Sequence, residues 1–192
     1  GIYAKDSGQI YVNDKEVEIN SIADARKYGI SIIHQELMLC ENISIAENIF
    51  MGNEICNTRG IVSLKKQIEK TQGILDEYSL DMKADTVLKN LTIAQQQMIE
   101  IIRAISFGSK IIVMDEPTSS LSEKEVQILF NMIRRLKKDG VGIIYISHRM
   151  DELFEISDKI EVLRDGRDVG TFATKEVERA KLVTTMVGRE LT

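Results

Sequence analysis

The stretch KIIVMDEPTSSLS, from Lys110 to Ser122, contains an apolar run that stops at two adjacent carboxylates. Asp115 and Glu116 end the run, and Pro117, the single proline of the chain, follows them. The run predicts a buried β-strand over residues 110–114, and proline does not continue such a strand. Ligands of open α/β sheets bind outside the carboxyl ends of the strands, which is where this acidic pair is placed.

Helices and strands alternate after this stretch. A helix is predicted to begin at the capping box of Ser122 and Glu125 and to stop before Gly140. The other predicted segments are strands at 142–147, 159–163 and 167–172, and helices at 149–157 and 175–187. Such alternation predicts an α/β fold with a parallel sheet. Because strands 111–114 and 143–146 are apolar on both faces, we expect both faces of the sheet to be covered.

The residues before Lys110 predict an edge hairpin followed by a helical region. Residues 9–19 alternate apolar and polar around Asn13-Asp14, which is typical of a β-hairpin. A short helix ending at Gly29 and a buried strand at 30–33 follow. Capping boxes then begin helices at Ser44 and Thr92, and a further helix is predicted near 63–78.

The helix that begins at Thr92 is predicted to reach about Phe107 and to end at Gly108. We expect its apolar positions to pack in the core; they are Ile93, Met98, Ile101, Ile102 and Ile105. The alternative is a purely structural role, in which this is a core helix that binds no ligand and has its glutamines on a solvated face.

Composition narrows the class of protein. The chain has 192 residues and a formal net charge of −5, which argues against a general nucleic-acid-binding role. Cys40 and Cys56 form no C-x-x-C pattern, and we interpret both as reduced thiols of a cytosolic protein, with a structural disulfide as the alternative. No apolar run approaches the roughly 20 residues needed to cross a bilayer, so any work at a membrane is expected to go through a partner.

The acidic pair suits phosphate chemistry. Two adjacent carboxylates repel, and burying an unpaired charge costs several kcal/mol. Neither the repulsion nor the burial cost applies if one carboxylate holds Mg²⁺ while the other orients or deprotonates an attacking water. The alternative is that Asp115 and Glu116 only cap the turn at Pro117, with both side chains in solvent. His148 and Gln35 each follow another apolar strand, so we expect them at the same edge of the sheet, and this favours the functional interpretation.

At these residues the chain resembles the ATPase domains of ABC transporters. KIIVMDEP is similar to their Walker B motif, SSLS to the D-loop, IIHQE to the Q-loop and IYISHR to the H-loop. LTIAQQQMIEIIRA, residues 91–104, resembles the signature motif and its helix. The resemblance implies a P-loop NTPase (RecA-like) core of parallel strands, with an antiparallel β edge and an inserted α-helical subdomain.

Finer features resemble the first of the two ABC domains in the ATP-binding subunits of bacterial monosaccharide importers, of the ribose, galactoside and xylose type. They include GISIIHQELML, SIAENIFMG, YISHRMDELFEISD and MVGREL. The implied organisation is a β-rich edge with the Q-loop at 1–36, a helical subdomain at 37–105 and an α/β core at 106–192. The resemblance also implies an ATPase that drives monosaccharide uptake.

The resemblance assigns a role to each matching residue. Glu116 polarises the attacking water and His148 contacts the γ-phosphate, which makes them the catalytic candidates. Asp115 and Gln35 are the candidates for holding Mg²⁺, and Gln35 also links the nucleotide to the membrane partner. The remaining candidates contact ATP or lie at the interface with a second ABC domain; they are Leu91, Thr92, Ile93, Ala94, Gln95, Ser120, Leu121 and Ser122.

Two positions depart from the family pattern. The usual Leu-Ser-Gly-Gly-Gln signature is replaced here by Leu91-Thr92-Ile93-Ala94-Gln95, and Ser122 stands where the D-loop has aspartate. Thr92 keeps a hydroxyl, and the helix N-terminus still presents amides to a phosphate. Ile93 is bulkier than glycine and is expected to hinder close approach. Both changes also resemble the sugar-importer branch.

No G-x-x-x-x-G-K-[ST] phosphate loop occurs in the sequence. We expect that this Walker A segment lies upstream of Gly1, that the 192 residues alone are inactive, and that they are marginally stable or associate. The expected partners are membrane permease subunits, a second ABC domain and, indirectly, a periplasmic sugar-binding protein, with the chain at the cytoplasmic face of the membrane. The alternatives are a non-transport ABC protein, ribosome-associated or regulatory, and a fragment without catalysis.

Overall fold

The computed structural model describes residues 1–188, so the end of the MVGREL segment lies outside the described residues. The chain forms two compact units, residues 1–144 and the residues from Tyr145 onward. The first unit holds strands β1 (Ile10–Val12), β2 (Lys15–Val17), β3 (Ile30–Ile33) and β4 (Ile111–Asp115), the start of β5 (Gly142–Ile146), and helices α1 (Ile22–Lys27), α2 (Ile45–Phe50), α3 (Leu64–Glu77), α4 (Ile93–Ser106) and α5 (Glu123–Lys138). The second unit holds the end of β5, strands β6 (Lys159–Arg164) and β7 (Arg167–Ala173), and helices α6 (Met150–Ile156) and α7 (Arg179–Val187).

The central sheet has the strand order β3-β4-β5. Strands β3 and β4 are parallel, with Ile30 opposite Ile111 and Ile33 opposite Met114. Between them the chain passes through the helices α2, α3 and α4, a long crossover of the kind that parallel strands require. The strands β1 and β2 form a separate antiparallel pair, and so do β6 and β7. The predicted α/β class, with a parallel sheet, an antiparallel edge and inserted helices, is confirmed.

Tight turns form both hairpins where the sequence predicted them. Asn13 and Asp14 have φ angles of 52° and 61°, and Asp165 and Gly166 have φ angles of 51° and 74°. Positive φ at both central residues of a two-residue loop matches the twist of the flanking strands, and Asn, Asp and Gly tolerate it best. The α7 helix begins at Arg179, four residues later than the predicted start at 175.

The prediction that both faces of the sheet are covered is wrong. On one face of β3 and β4, Ile33, Ile112 and Met114 are buried at 0–3% exposure. On the other face of β3, Ile32 is 49% exposed, and in β5 Ile144 is 53% exposed. An apolar strand is typical of a sheet that can be covered on both faces, but the strand itself does not supply the covering layer.

The helix α4 packs differently from the solvated-face alternative. Gln96 and Gln97 are 8% and 5% exposed, so its glutamines do not form a solvated face. The amide of Gln96 instead donates to the carbonyl oxygens of Leu88 and Leu91, at 3.4 and 3.2 Å. Met98, Ile101 and Ile102 are buried as predicted, whereas Ile93 is 50% exposed.

The second unit has its own small core. Ile160, Val162 and Leu182 are buried there, with Phe154 and Phe172 packed against them. Alternation along β6 places Ile160 and Val162 on one face, which explains why a two-stranded ribbon can hold the α7 helix. Among residues 1–188, the helices are all too short or too polar to span a bilayer.

Candidate functional site

Two predicted site groups meet at the carboxyl edge of the central sheet. Ile33, the last residue of β3, is opposite Met114 in the parallel register. Gln35 follows Ile33 by two residues, and β4 ends at Asp115, directly before Glu116. Neighbouring strands lie about 4.8 Å apart, which brings an amide and two carboxylates to one edge. Gln35 and the pair Asp115 and Glu116 therefore follow or end neighbouring strands at the same edge of the sheet.

Glu116 has an unusual backbone conformation. Its φ angle is 45°, in the left-handed region that costs a residue with a side chain about 1 kcal/mol or more. The carbonyl oxygen of Glu116 accepts a hydrogen bond from the Ser119 amide at 3.2 Å, so the strand turns sharply at this residue. Asp115 and Glu116 are both half-buried rather than in open solvent. Strained backbone of this kind concentrates at functional sites.

The side chains at this edge, Gln35 and Asp115, carry oxygen atoms of the kind that bind Mg²⁺ together with the phosphates of a nucleotide. Mg²⁺ prefers oxygen ligands and is held through one or two carboxylates together with substrate phosphates and water. The carboxylate of Asp115 and the amide oxygen of Gln35 provide that chemistry. Within residues 1–188, no group of three or more His, Cys, Asp or Glu residues forms a metal site by itself.

The predicted signature residues form the N-terminus of α4. The Thr92 hydroxyl accepts a hydrogen bond from the Gln95 amide at 3.2 Å, and the Gln95 side chain accepts one from the Thr92 amide at 2.9 Å. Ile93 points outward and Ala94 is buried. This capping box satisfies part of the helix end, and the amides of the first turn still make the end electropositive.

Helices α2 and α4 hold the loop that follows Gln35. The Met38 amide donates to the Glu100 carboxylate at 2.8 Å, and the Met38 carbonyl oxygen accepts from Arg103 at 3.1 Å. Two residues later, the buried Asn48 side chain binds both the amide and the carbonyl oxygen of Cys40, at 2.8 and 2.9 Å. The backbone between Gln35 and α2 is thus attached to the same helix that begins with the signature residues.

Sequence reasoning missed Glu100, Arg103 and Asn48. Their signal was present, because Glu100 interrupts an apolar segment of α4 and Asn48 interrupts the apolar face of α2. Glu100 is 8% exposed, and one of its oxygens has no hydrogen-bond partner among the described residues. Burial raises the pKa of Glu100, while the Met38 amide, Arg103 and His34 act in the opposite direction.

The candidate interface residues follow the acidic pair. Ser120 and Ser122 are exposed, and Leu121 is half-buried. The Ser122 amide and hydroxyl both donate to the Glu125 carboxylate, at 2.8 and 2.7 Å, which begins α5 as predicted. Hydrogen bonds from the Ser122 hydroxyl and amide lower the pKa of Glu125.

His148 belongs to the second unit, where it is the second residue after β5. It is exposed, and it lies between Ser147 and Arg149, whose main-chain amide donates to the Ser147 hydroxyl at 3.0 Å. Cys40 and Cys56, in the first unit, are free and exposed, which agrees with their interpretation as thiols.

A cleft of about 680 Å³ lies beside the start of α4. Leu91 and Gln95 line it, together with Asp76, Asp81 and Lys83. Its lining does not include the strand-end groups, so it is separate from the edge that carries Asp115 and Glu116.

Comparison with known proteins gives consistent matches. The family model described as ABC transporter matches residues 1–119. The ribose import ATP-binding protein RbsA of Caldanaerobacter subterraneus subsp. tengcongensis is 49% identical over 191 residues, which cover 100% of this chain and 38% of that protein. A putative ribose/galactose/methyl galactoside import ATP-binding protein of Halalkalibacterium halodurans is 50% identical, over 100% of this chain and 37% of its own length.

Solved structures are also similar. The ADP conformation of an ATP-binding cassette of an ABC transporter superposes with a TM-score of 0.78 at 26% identity, covering 98% of this chain and 80% of that one. The chain spans about 38% of the length of the ribose import protein it matches.

Proposed function

The chain belongs to the ABC transporter family, and from that premise we propose that it is part of the ATP-binding subunit of an importer that couples ATP hydrolysis to monosaccharide uptake. The observation that supports this most directly is the parallel pairing of β3 and β4, which brings the strand ends that precede Gln35 and carry Asp115 to one edge of the sheet. The ribose and galactoside importers among the relatives support the substrate class. In this proposal the subunit works at the cytoplasmic face of the membrane, with permease subunits and a second ABC domain as partners.

Glu116 is the proposed base. Its carboxylate would polarise the water that attacks the γ-phosphate, and the neighbouring Asp115 and Gln35 would hold Mg²⁺. Mg²⁺ neutralises charge that develops on the phosphate oxygens. The chain turns at Glu116, whose φ angle is 45°, directly after Asp115 ends the strand. In this proposal the two carboxylates serve the ion and the water separately.

His148 and the signature residues complete the proposal. The imidazole of His148 would contact the γ-phosphate and orient the water. The N-terminus of α4, from Leu91 to Gln95, would face a nucleotide held by the second ABC domain, because amides and a positive dipole end favour a phosphate. Ser120 and Ser122 would lie at the interface between the two domains.

The test is substitution of the proposed base, in a protein that contains this chain together with the rest of the length found in its relatives. Glu116→Gln is expected to lower ATP hydrolysis by roughly 10² to 10⁴, the range typical of a lost general base, while ATP still binds. The matched control is Glu123→Gln, an exposed acid at the start of α5, which should hydrolyse normally. Undiminished turnover in Glu116→Gln would contradict the role given to Glu116.

The transport role needs a second measurement. If the protein serves an importer, it should co-purify with a membrane permease, and its hydrolysis should rise when a monosaccharide is supplied with the periplasmic binding protein. Co-purification with ribosomes instead would favour a non-transport ABC protein and overturn the importer proposal.

A further inference from the structure

In the second unit, the buried carboxylate of Glu152 binds residues on both sides of His148. Glu152, in the first turn of α6, is 4% exposed. One of its oxygens accepts hydrogen bonds from the Tyr145 hydroxyl at 2.8 Å and the Ser147 hydroxyl at 3.0 Å. Its other oxygen lies 2.7 Å from the Arg149 guanidinium. The carboxylate therefore binds the end of a strand, the following loop and the start of a helix.

These partners lie on both sides of His148 along the chain. Tyr145 lies in β5, Ser147 precedes His148 directly and Arg149 follows it directly. Ser147 and Arg149 are also joined by the bond from the Arg149 amide to the Ser147 hydroxyl. Because both neighbours of His148 are attached to one buried group, the backbone that carries the imidazole has little freedom to rotate. The side chain of His148 itself stays exposed.

Stability alone does not account for this arrangement. Removing a carboxylate from water has a large desolvation cost, and replacing a buried ion pair by well-packed apolar residues is often neutral or stabilising. Fully satisfied polar networks do, however, hold their members in one geometry. A carboxylate that binds Tyr145, Ser147 and Arg149, all within one five-residue segment, is thus suited to holding that segment in one geometry.

We propose that Glu152 is a positioning residue for His148, which holds residues 145–149 in one conformation and so fixes the direction of the imidazole. This inference rests on the proposed function, since it assigns Glu152 a role through His148. Misplacing a catalytic group by about 1 Å can lower the rate on the order of 10²-fold. A hydrogen-bond network that fixes this segment would prevent such a loss.

The test is a double-substitution cycle on ATP hydrolysis, in the same protein used for Glu116. Glu152→Gln keeps the shape but weakens the attachment to Arg149, and we expect kcat to fall about 10- to 100-fold while KM for ATP changes less than about twofold. In a His148→Ala background, Glu152→Gln should lower kcat by less than about twofold, because the group that it positions is already gone. Glu155→Gln, an exposed acid on the same helix, is the matched control and should leave kcat unchanged.

The outcomes separate the inference from the function on which it rests. If the losses in kcat simply multiply in the double variant, Glu152 does not act through His148 and the inference is overturned, while the function stands. If His148→Ala hydrolyses ATP normally, the proposed role of His148 fails and the inference fails with it. Should Glu152→Gln not fold, the cycle is run with Ser147→Ala, which removes one hydrogen bond to the carboxylate and is expected to give a smaller, equally non-additive loss.

Discussion

Two acidic residues of the first unit are held in arrangements that cost free energy, and one of them, Glu116, is the proposed base. Glu116 has a left-handed backbone, and Glu100 is buried with one oxygen that lacks a partner among the described residues. The acidic pair was visible in the sequence because two charges end an apolar run. Glu100 was not recognised, because a lone charge in a helix is more often on a solvated face, and only its burial distinguishes it.

The first prediction at this scale concerns Glu100. Burial raises its pKa above the ordinary value near 4.5, so the folded protein binds the proton more tightly than the unfolded chain does. Its stabilising contribution is therefore present below about pH 4.5 and is lost as the pH rises through the folded pKa. We expect the free energy of unfolding of Glu100→Gln, relative to the unsubstituted protein, to increase between pH 4.5 and pH 7.

Urea denaturation at a series of pH values measures this difference. The control is Glu69→Gln, at an exposed position on α3, for which the difference should stay flat. A relative stability of Glu100→Gln that falls as the pH rises would show that the ionised carboxylate is favoured in the folded protein, contrary to the direction expected from burial.

At the scale of the element, local sequence signals were reliable. The predicted capping boxes begin α2 at Ser44, α4 at Thr92 and α5 at Ser122, and the structure has reciprocal hydrogen bonds at all three. A capping box depends on residues only three positions apart, so tertiary packing has little chance to overrule it. The packing of α4 was harder to predict, since Gln96 and Gln97 are buried on a helix whose pattern also fits a solvated face.

The cap of α4 yields the second prediction. Thr92→Ala removes the oxygen that accepts from the Gln95 amide, and loss of such a cap costs about 1 kcal/mol of stability. Thr92→Ser keeps the hydroxyl and should recover most of the loss, as measured by urea denaturation. If Ser and Ala destabilise the protein equally, the hydroxyl at Thr92 does not cap the helix in solution.

At the scale of the whole molecule, one face of the central sheet is open. Apolar side chains of β3 and β5, such as Ile32 and Ile144, are about half exposed. Exposed apolar surface on a sheet favours association, because burying it releases about 25 cal/mol per Å². Whether the 192-residue chain associates or is marginally stable stays a prediction, and the exposed apolar surface motivates a direct measurement.

The third prediction is that polar substitutions on this face weaken self-association of the 192-residue chain. Ile144→Thr and Ile32→Thr should each lower the association constant about tenfold, as expected from losing roughly 1 to 2 kcal/mol of apolar burial. Sedimentation velocity over a range of concentrations measures it. Ile61→Thr, at a residue that is 62% exposed outside the sheet, is the matched control. A chain that stays monomeric at all concentrations would contradict the prediction.

The sequence by itself determined the features that depend on neighbours along the chain: the strand that ends at Asp115 and Glu116, the Asn13-Asp14 turn and the helix caps. These follow from side-chain period, turn chemistry and hydrogen bonds over three residues, which no distant contact needs to supply. Only the tertiary structure decided that Glu100 and Arg103 hold Met38, more than 60 positions away, and that one sheet face is open. Such contacts depend on how elements pack, and packing partners leave no fixed spacing in the sequence to be recognised.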